Sequence, residues 1–120
     1  MDREAELNEA LRALEGVFLA KLPDKLGEIT TANQRLKDDP TDRENLTTLH
    51  RALHNLAGSA GTFGFHEIGT HARSLEQRIK ACLHGEHWDS TQFTTFAQDV
   101  DAYVRLSGKF IPVGSDEASK

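Results

Sequence analysis

Hydrophobic residues recur along the chain at intervals of three and four positions, the spacing of one face of an α-helix. The first pattern consists of Leu7, Leu11, Leu14 and Phe18. It predicts a helix over about residues 3–16. A second pattern follows directly in Leu19, Leu22, Leu26, Ile29, Asn33 and Leu36. Pro23 lies inside the second pattern, so either a second helix begins near Pro23 or a kink there joins the two helices.

A third helix is predicted after the break at Lys37-Asp38-Asp39-Pro40. Thr41-Asp42-Arg43-Glu44 reads as a capping box, in which the Thr41 hydroxyl accepts from the Glu44 amide. The core-facing stripe of this helix is Leu46, Leu49, Leu53, Leu56, Ala60 and Phe63. Gly64 is expected to end the helix, because glycine readily adopts the left-handed conformation at a helix C-terminus.

Two more helices follow, separated by the turn His84-Gly85-Glu86-His87. The apolar face of the fourth is Ile68, Ala72, Leu75, Ile79 and Cys82, and that of the fifth is Phe93, Phe96, Val100, Tyr103 and Val104. Asp89 or Ser90 can cap the fifth helix. Five helices with short turns and no strand pattern predict an all-α fold.

The predicted architecture is an antiparallel four-helix bundle with an additional short N-terminal helix. The bundle is expected to span residues 1–108 as a single domain. Residues 109–120 end in small polar side chains and are expected to form a flexible C-terminal tail.

Composition and charge narrow the classes of function. The net charge of −5 argues against non-specific nucleic-acid binding, which needs basic patches. The charged N-terminus lacks the apolar core of a signal peptide, and no run approaches the roughly 18 apolar residues of a membrane helix. A single cysteine, Cys82, excludes an internal disulfide framework. These features predict an acidic cytoplasmic domain that binds neither nucleic acid nor membrane.

The third helix carries the candidate functional residue, His54. Unrolled at about 100° per residue, the helix places His54 about 130° from the leucine stripe, on the outer side. The residues within about 60° of His54 are Thr47, His50, Arg51, Ala57, Gly58 and Gly61. A glycine inside a helix costs about 1 kcal/mol relative to alanine, so two glycines beside His54 call for a reason. The small side chains on this face suggest that a large partner approaches His54 closely. An imidazole presented in this way is a nucleophile or an accessible ligand.

Two other interpretations of this face remain open from the spacing alone. In the first interpretation, His54 is a solvated surface residue without a function. In the second, Gly58 and Gly61 allow close packing against another helix.

The segment from His54 to Gly64 resembles the signature of histidine phosphotransfer (HPt) domains. It reads His-Asn-Leu-Ala-Gly-Ser-Ala-Gly-Thr-Phe-Gly, and the match includes the histidine, the leucine and both diagnostic glycines, Gly58 and Gly64. The Gly-Thr-Phe-Gly-Phe ending also resembles the N-terminal phosphotransfer domain of chemotaxis histidine kinases. The chain departs from the family pattern at Ala57, where a lysine is usual.

The resemblance implies a phosphorelay role in two-component signalling, with His54 as the phosphorylated residue. It places Glu76 where an acidic residue orients the imidazole, with Arg73 nearby as a source of positive charge. Without the resemblance, Arg73 and Glu76 are a solvated helix-surface pair of little energetic value. The docking surface is predicted from the outer face of the third helix: His50, Arg51, Ala57, Gly58 and Gly61.

The implied partners are receiver domains of response regulators, with a hybrid or chemotaxis-type histidine kinase upstream. Mg²⁺ is expected on the receiver and no cofactor on this chain, and the family analogy favours a monomer. The sequence has no Gly-x-x-x-x-Gly-Lys loop or other nucleotide motif. It is therefore predicted to lack autonomous kinase activity.

Two alternative functions compete with this interpretation. The first is a receiver-docking adaptor that has the same fold but does not turn over phosphate. Ala57, in place of the usual lysine, favours the adaptor. Retention of His54 argues against it. A metal-binding bundle is suggested by His50 and His54, which are four residues apart and can chelate zinc. A specific metal site usually needs three or four ligands, and no further ligand motif accompanies this pair.

Overall fold

The computed structural model describes residues 2–111, which form four α-helices and one short 3₁₀ turn. The helices are α1 (Arg3–Asp38), α2 (Arg43–Thr62), α3 (His66–Leu83) and α4 (Ser90–Ser107), followed by the 3₁₀ turn Gly108–Phe110. No strand occurs between residues 2 and 111. The predicted all-α four-helix bundle is confirmed. None of the described helices has an apolar stretch long enough to cross a membrane.

The additional short N-terminal helix is not a separate element, and this part of the prediction is wrong. A single helix of 36 residues runs through Pro23 without interruption. Pro23 is exposed, whereas Leu22 and Leu26 on either side of it are buried in the bundle. Their packing holds the helix together across the position where the proline ring removes one backbone hydrogen bond. The two apolar patterns of the sequence therefore belong to one continuous face.

The first part of α1 extends beyond the other helices. Residues 3–17 are all exposed, and Phe18 is the first buried residue, packed against Phe63 and Phe65 beyond the end of α2. Four apolar side chains on this extension are about half exposed: Leu7 (60 %), Leu11 (48 %), Leu14 (50 %) and Val17 (48 %). At 1.5 Å per residue, the extension is about 22 Å long.

The helix ends show which residues set the boundaries. Asp42, not Thr41, caps α2, because its carboxylate accepts from the Glu44 amide at 2.9 Å. The Thr41 hydroxyl instead donates to the Asp39 carboxylate at 2.7 Å, so the predicted capping box is wrong. Gly64 has a φ of 85°, as expected for the residue that ends α2. Asp89 caps α4 through a capping box with Gln92.

Buried polar contacts fix α4 against its neighbours. The Asn33 side chain on α1 donates to the Ala97 carbonyl oxygen at 3.0 Å and to the Asp101 carboxylate at 2.9 Å. The Tyr103 hydroxyl donates to the Ile68 carbonyl oxygen at 2.9 Å, which joins α4 to α3. Asn33 and Tyr103 are themselves buried, so these bonds give partners to donors that are withdrawn from water.

The end of the described chain packs on the bundle. Phe110 lies edge-on to Phe65 with a centroid distance of 6.4 Å, and Ile111 contacts the core. Residues 109–111 of the predicted tail therefore continue the bundle as part of the 3₁₀ turn and its end. The rest of that predicted tail, residues 112–120, lies outside the described residues.

Substitutions of two leucines, one in the core and one on the extension of α1, are expected to differ sharply in their effect on the free energy of unfolding. Leu49 on α2 is fully buried, so Leu49→Ala should lower the free energy of unfolding by about 2–5 kcal/mol. Leu11 is 48 % exposed and is not part of the core cluster, so Leu11→Ala should change the free energy of unfolding by less than about 0.5 kcal/mol. Urea unfolding followed by circular dichroism measures both values. Equal losses for the two variants would show that the extension of α1 is packed in solution.

Candidate functional site

His54 lies on the outer face of α2 and is held by a carboxylate from α3. Its Nδ1 is 2.7 Å from Oε2 of Glu76. The His54 side chain is 65 % exposed, whereas that of Glu76 is only 7 % exposed. The site therefore consists of an open imidazole anchored to a buried acidic group.

This contact determines which nitrogen of His54 is reactive. An ionised carboxylate can only accept hydrogen bonds, so Nδ1 must carry the proton and donate it to Glu76. The lone pair is then on Nε2, the nucleophilic nitrogen of a neutral imidazole. When Nε2 attacks an electrophile the ring becomes positively charged, and the nearby carboxylate stabilises that charge. The arrangement is suited to nucleophilic group transfer.

His50, one turn before His54, also contacts Glu76. Its Nε2 is 3.4 Å from the same Oε2, and its side chain is 25 % exposed. The two imidazole rings are nearly parallel, with centroids 6.2 Å apart and planes 15° apart. The prediction that His50 belongs to an exposed docking surface is wrong in this respect, because its ring lies between α2 and α3.

Burial lowers the pKa of His50 below its usual value of 6.5. Desolvation of the charged ring is the largest cause, and it outweighs the attraction of Glu76, which raises the pKa. His54, Lys80 and His84 lower it further by charge repulsion. His50 is therefore neutral at pH 7.

The lowered pKa predicts that folding stability falls in mild acid. An unfolded chain takes up a proton at His50 near pH 6.5, before the folded chain does, so the stabilising contribution is lost as the pH falls below that value. His50→Gln removes this titration and should reduce the loss of stability between about pH 7 and pH 5. Thermal melts across that range measure the effect, and identical pH profiles for both proteins would contradict it.

The side of α2 that carries Ala57 is covered by α3, where the two helices approach closely. An ideal Cβ built on Gly69 of α3 would lie 3.3 Å from the Ala57 carbonyl oxygen and 3.4 Å from the Gly61 amide nitrogen. Ala57 itself is buried, so its predicted place on the docking surface is wrong. The close approach is permitted by Gly69 and not by Gly58 or Gly61, where an added Cβ would meet nothing within 4 Å, so the close-packing alternative for those two glycines is not borne out.

Gly69 is a residue that the sequence analysis missed. The signal was present, since an isolated glycine within a helical pattern often marks a close approach of two backbones. This approach brings α3 near enough for Glu76 to reach His54. Gly69 thus supports the site without taking part in it.

The opposite side of α2 is open. Gly58 is exposed, and a Cβ added there would meet nothing within 4 Å. Arg51 and Asn55 line an open depression between α1 and α2, which also includes Gly27. Of the predicted docking residues, Arg51, Gly58 and Gly61 are therefore on the surface.

Arg73 is exposed on α3, three residues before Glu76. Among residues 2–111 it makes no ion pair, and its guanidinium group does not contact His54 or Glu76. Of the predicted pair, the structure brings only Glu76 to His54.

No group of three or more histidine, cysteine or acidic side chains within residues 2–111 is placed to hold a metal ion. The rings of His50 and His54 both direct a nitrogen towards the same oxygen of Glu76. The two imidazoles therefore share one carboxylate oxygen as their common neighbour.

The fold and the site together define a helical-bundle domain that carries a carboxylate-anchored histidine on its surface. The model of the Hpt domain family matches residues 5–105, and the chain belongs to this family. Histidine phosphotransfer in a phosphorelay is accordingly the general role of the domain.

Two relatives are consistent with this family. The chain is 23 % identical to the chemotaxis protein CheA of Rhizobium meliloti (strain 1021) over 82 residues, covering 68 % of this chain and 11 % of that protein. It thus spans about a tenth of the length of that relative. The CheA phosphotransferase domain from Thermotoga maritima is similar in structure, with a TM-score of 0.68 and 27 % sequence identity, over 85 % of this chain and 97 % of that domain. The predicted resemblance to chemotaxis phosphotransfer domains is confirmed.

Proposed function

We propose that this chain is a cytoplasmic phosphorelay intermediate that accepts a phosphoryl group on His54 from the aspartyl phosphate of one receiver domain and donates it to the aspartate of another. The observation that carries the proposal is the hydrogen bond between Nδ1 of His54 and the buried carboxylate of Glu76. It leaves Nε2 as the nucleophile on an exposed face of the bundle.

The proposed transfer breaks one bond and forms one bond. The lone pair on Nε2 of His54 attacks the phosphorus, and the bond between phosphorus and the aspartate oxygen breaks to release a carboxylate. The proton on Nδ1 stays in place, hydrogen-bonded to Glu76, and the negative carboxylate of Glu76 stabilises the positive charge that develops on the ring. Phosphoryl transfer depends mainly on alignment and charge stabilisation. Mg²⁺ and most of the other catalytic groups would belong to the receiver.

Two exposed arginines can supply positive charge near the transferred group. Ala57 stands where related domains usually have lysine, and it is buried under α3. Arg51 is on α2, three residues before His54, and Arg73 is on α3, three residues before Glu76, and both are exposed. We assign them the electrostatic role of the missing lysine, and we assign receiver docking to the open face that includes Arg51, Gly58 and Gly61.

The partner upstream would be a hybrid or chemotaxis-type histidine kinase. This chain lacks a nucleotide-binding motif of its own, so the phosphoryl group must come from another domain or protein. Purified alone with ATP, the chain should incorporate no phosphoryl group.

A receiver-docking adaptor without phosphotransfer is the second candidate, and the missing lysine favours it. The contact between His54 and Glu76 weighs against it, because docking alone needs neither a nucleophile nor a buried carboxylate to orient one.

The decisive experiment measures transfer of label from a panel of radiolabelled, phosphorylated receiver domains to the folded protein. Acid-labile, base-stable label on this chain is the expected result, because those properties identify phosphohistidine. Incubation with radiolabelled ATP alone is the negative control. No label from any receiver would favour the adaptor, and label from ATP alone would contradict the absence of kinase activity.

A further inference from the structure

The Glu76 carboxylate has two imidazole neighbours, and only one of them is explained by the proposed function. His54 makes the short contact at 2.7 Å, and His50 places Nε2 at 3.4 Å from the same oxygen. Nε2 of His50 is fully buried and has no well-aligned hydrogen-bond partner within the described residues. A buried polar atom without a partner is costly, so its position beside the carboxylate calls for a physical reason.

We propose that His50 is a positioning residue that holds the Glu76 carboxylate and thereby keeps the proton of His54 on Nδ1. The inference rests on the proposed function, since it concerns how the nucleophile is prepared. His50 acts through Glu76 and does not itself contact the transferred group.

Burial of Glu76 makes a second donor useful. A buried carboxylate needs hydrogen-bond donors to offset its lost hydration. Its first donor, His54, is two-thirds exposed and must accommodate an incoming phosphoryl group. His50 lies one helical turn away on the better-buried side of α2 and faces the same oxygen. The proposal requires Nε2–H of His50 to turn towards Oε2 of Glu76, which is 3.4 Å away.

The charges around His50 keep it in the form that this role needs. A neutral imidazole with its proton on Nε2 donates to the carboxylate without cancelling the charge of Glu76. The groups that face His50 are Glu76 and Lys80 from α3, His54 from α2 and His84 after α3. Burial and the three basic groups oppose protonation of His50, against the single attraction of Glu76.

The position of Glu76 in turn controls His54. The nitrogen that carries the proton in a neutral histidine is set by the hydrogen bond that the ring makes. If the carboxylate leaves Nδ1, the proton can move to Nε2, and the nucleophilic lone pair is lost from the exposed side of the ring. Partners that orient a functional histidine in this way commonly have measurable effects on its activity.

Two substitutions at His50 separate donation from packing. His50→Phe keeps a planar ring of similar shape but has no donor, whereas His50→Gln keeps a donor that can reach the carboxylate. The readouts are the fraction of His54 with its proton on Nδ1, from imidazole ¹⁵N chemical shifts above about pH 7.5, and the rate of transfer from a phosphorylated receiver.

We expect His50→Phe to lower the Nδ1–H fraction of His54 and to slow transfer by about 3- to 10-fold, the effect of one lost hydrogen bond. His50→Gln should remain within about twofold of the unsubstituted protein for both quantities. Circular dichroism and thermal melting verify the fold, and His50→Leu replaces His50→Phe if that variant does not fold.

An unchanged Nδ1–H fraction in His50→Phe would overturn the proposal. Equal impairment of folded His50→Phe and His50→Gln would also overturn it, because it would assign His50 a packing role. If the unsubstituted protein accepts no phosphoryl group, the proposed function fails, but the ¹⁵N measurement still decides whether His50 controls His54.

Discussion

His54→Gln is expected to reduce phosphoryl uptake from a receiver to background. Glutamine has no nitrogen lone pair that can attack phosphorus, whereas its amide can still donate to the Glu76 carboxylate. The variant should therefore lose the nucleophile and keep the contact that satisfies the buried acid. Because His54 is on the surface, the free energy of unfolding should change by less than about 1 kcal/mol.

The control for His54→Gln is His71→Gln, the same change at an exposed histidine of α3. Transfer to this variant should equal that of the unsubstituted protein. The chain has six histidines, so label that persists in His54→Gln would assign the phosphorylated residue to another of them. A loss of label in both variants would point to a general effect on folding or docking.

The helices were predictable because each has a long apolar stripe with the period of an α-helix. The break at Lys37–Pro40, the turn at Gly64 and the cap at Asp89 all occur where side-chain chemistry marks them. The boundary near Pro23 was the exception. Local sequence shows that proline weakens a helix there, but only tertiary packing of Leu22 and Leu26 decides that the helix continues.

The extension of α1 shows a second limit of sequence patterns. Leu7, Leu11 and Leu14 continue the face that is buried from Phe18 onwards, so the pattern is the same on both sides of that residue. Periodicity indicates that a face is apolar but not whether another element reaches it. Here α2 ends and α3 begins beside Phe63 and Phe65, which pack against Phe18.

The site was predictable in part. The angular position around α2 correctly placed His54 on the outside, and the family resemblance pointed to Glu76, which the structure brings to 2.7 Å from it. The same angular argument put His50 and Ala57 on the open surface, where they are not. An angle about one helix axis shows which residues share a face. It does not show where the neighbouring helix lies, and here α3 covers one edge of that face because Gly69 permits a close approach.

Gly58→Arg is expected to lower the rate of transfer from a receiver by at least about tenfold while leaving the fold intact. Gly58 is exposed one turn after His54, and a side chain there would project into open space on the side of α2 that faces the depression lined by Arg51. An arginine would occupy the surface that the receiver must approach. Replacing a glycine within a helix by arginine also favours the helix by up to about 1 kcal/mol, so the melting temperature should not fall.

Two comparisons separate blocked docking from damage to the nucleophile. Gly16→Arg makes the same change in the exposed extension of α1, where a Cβ also meets nothing within 4 Å, and should leave transfer unchanged. A small phosphodonor such as phosphoramidate needs no docking surface, so it should phosphorylate Gly58→Arg as fast as the unsubstituted protein. Normal transfer from the receiver to folded Gly58→Arg would place docking on another face. A slow reaction with phosphoramidate would instead show that the arginine disturbs His54, because the only group then required is the imidazole that Glu76 orients.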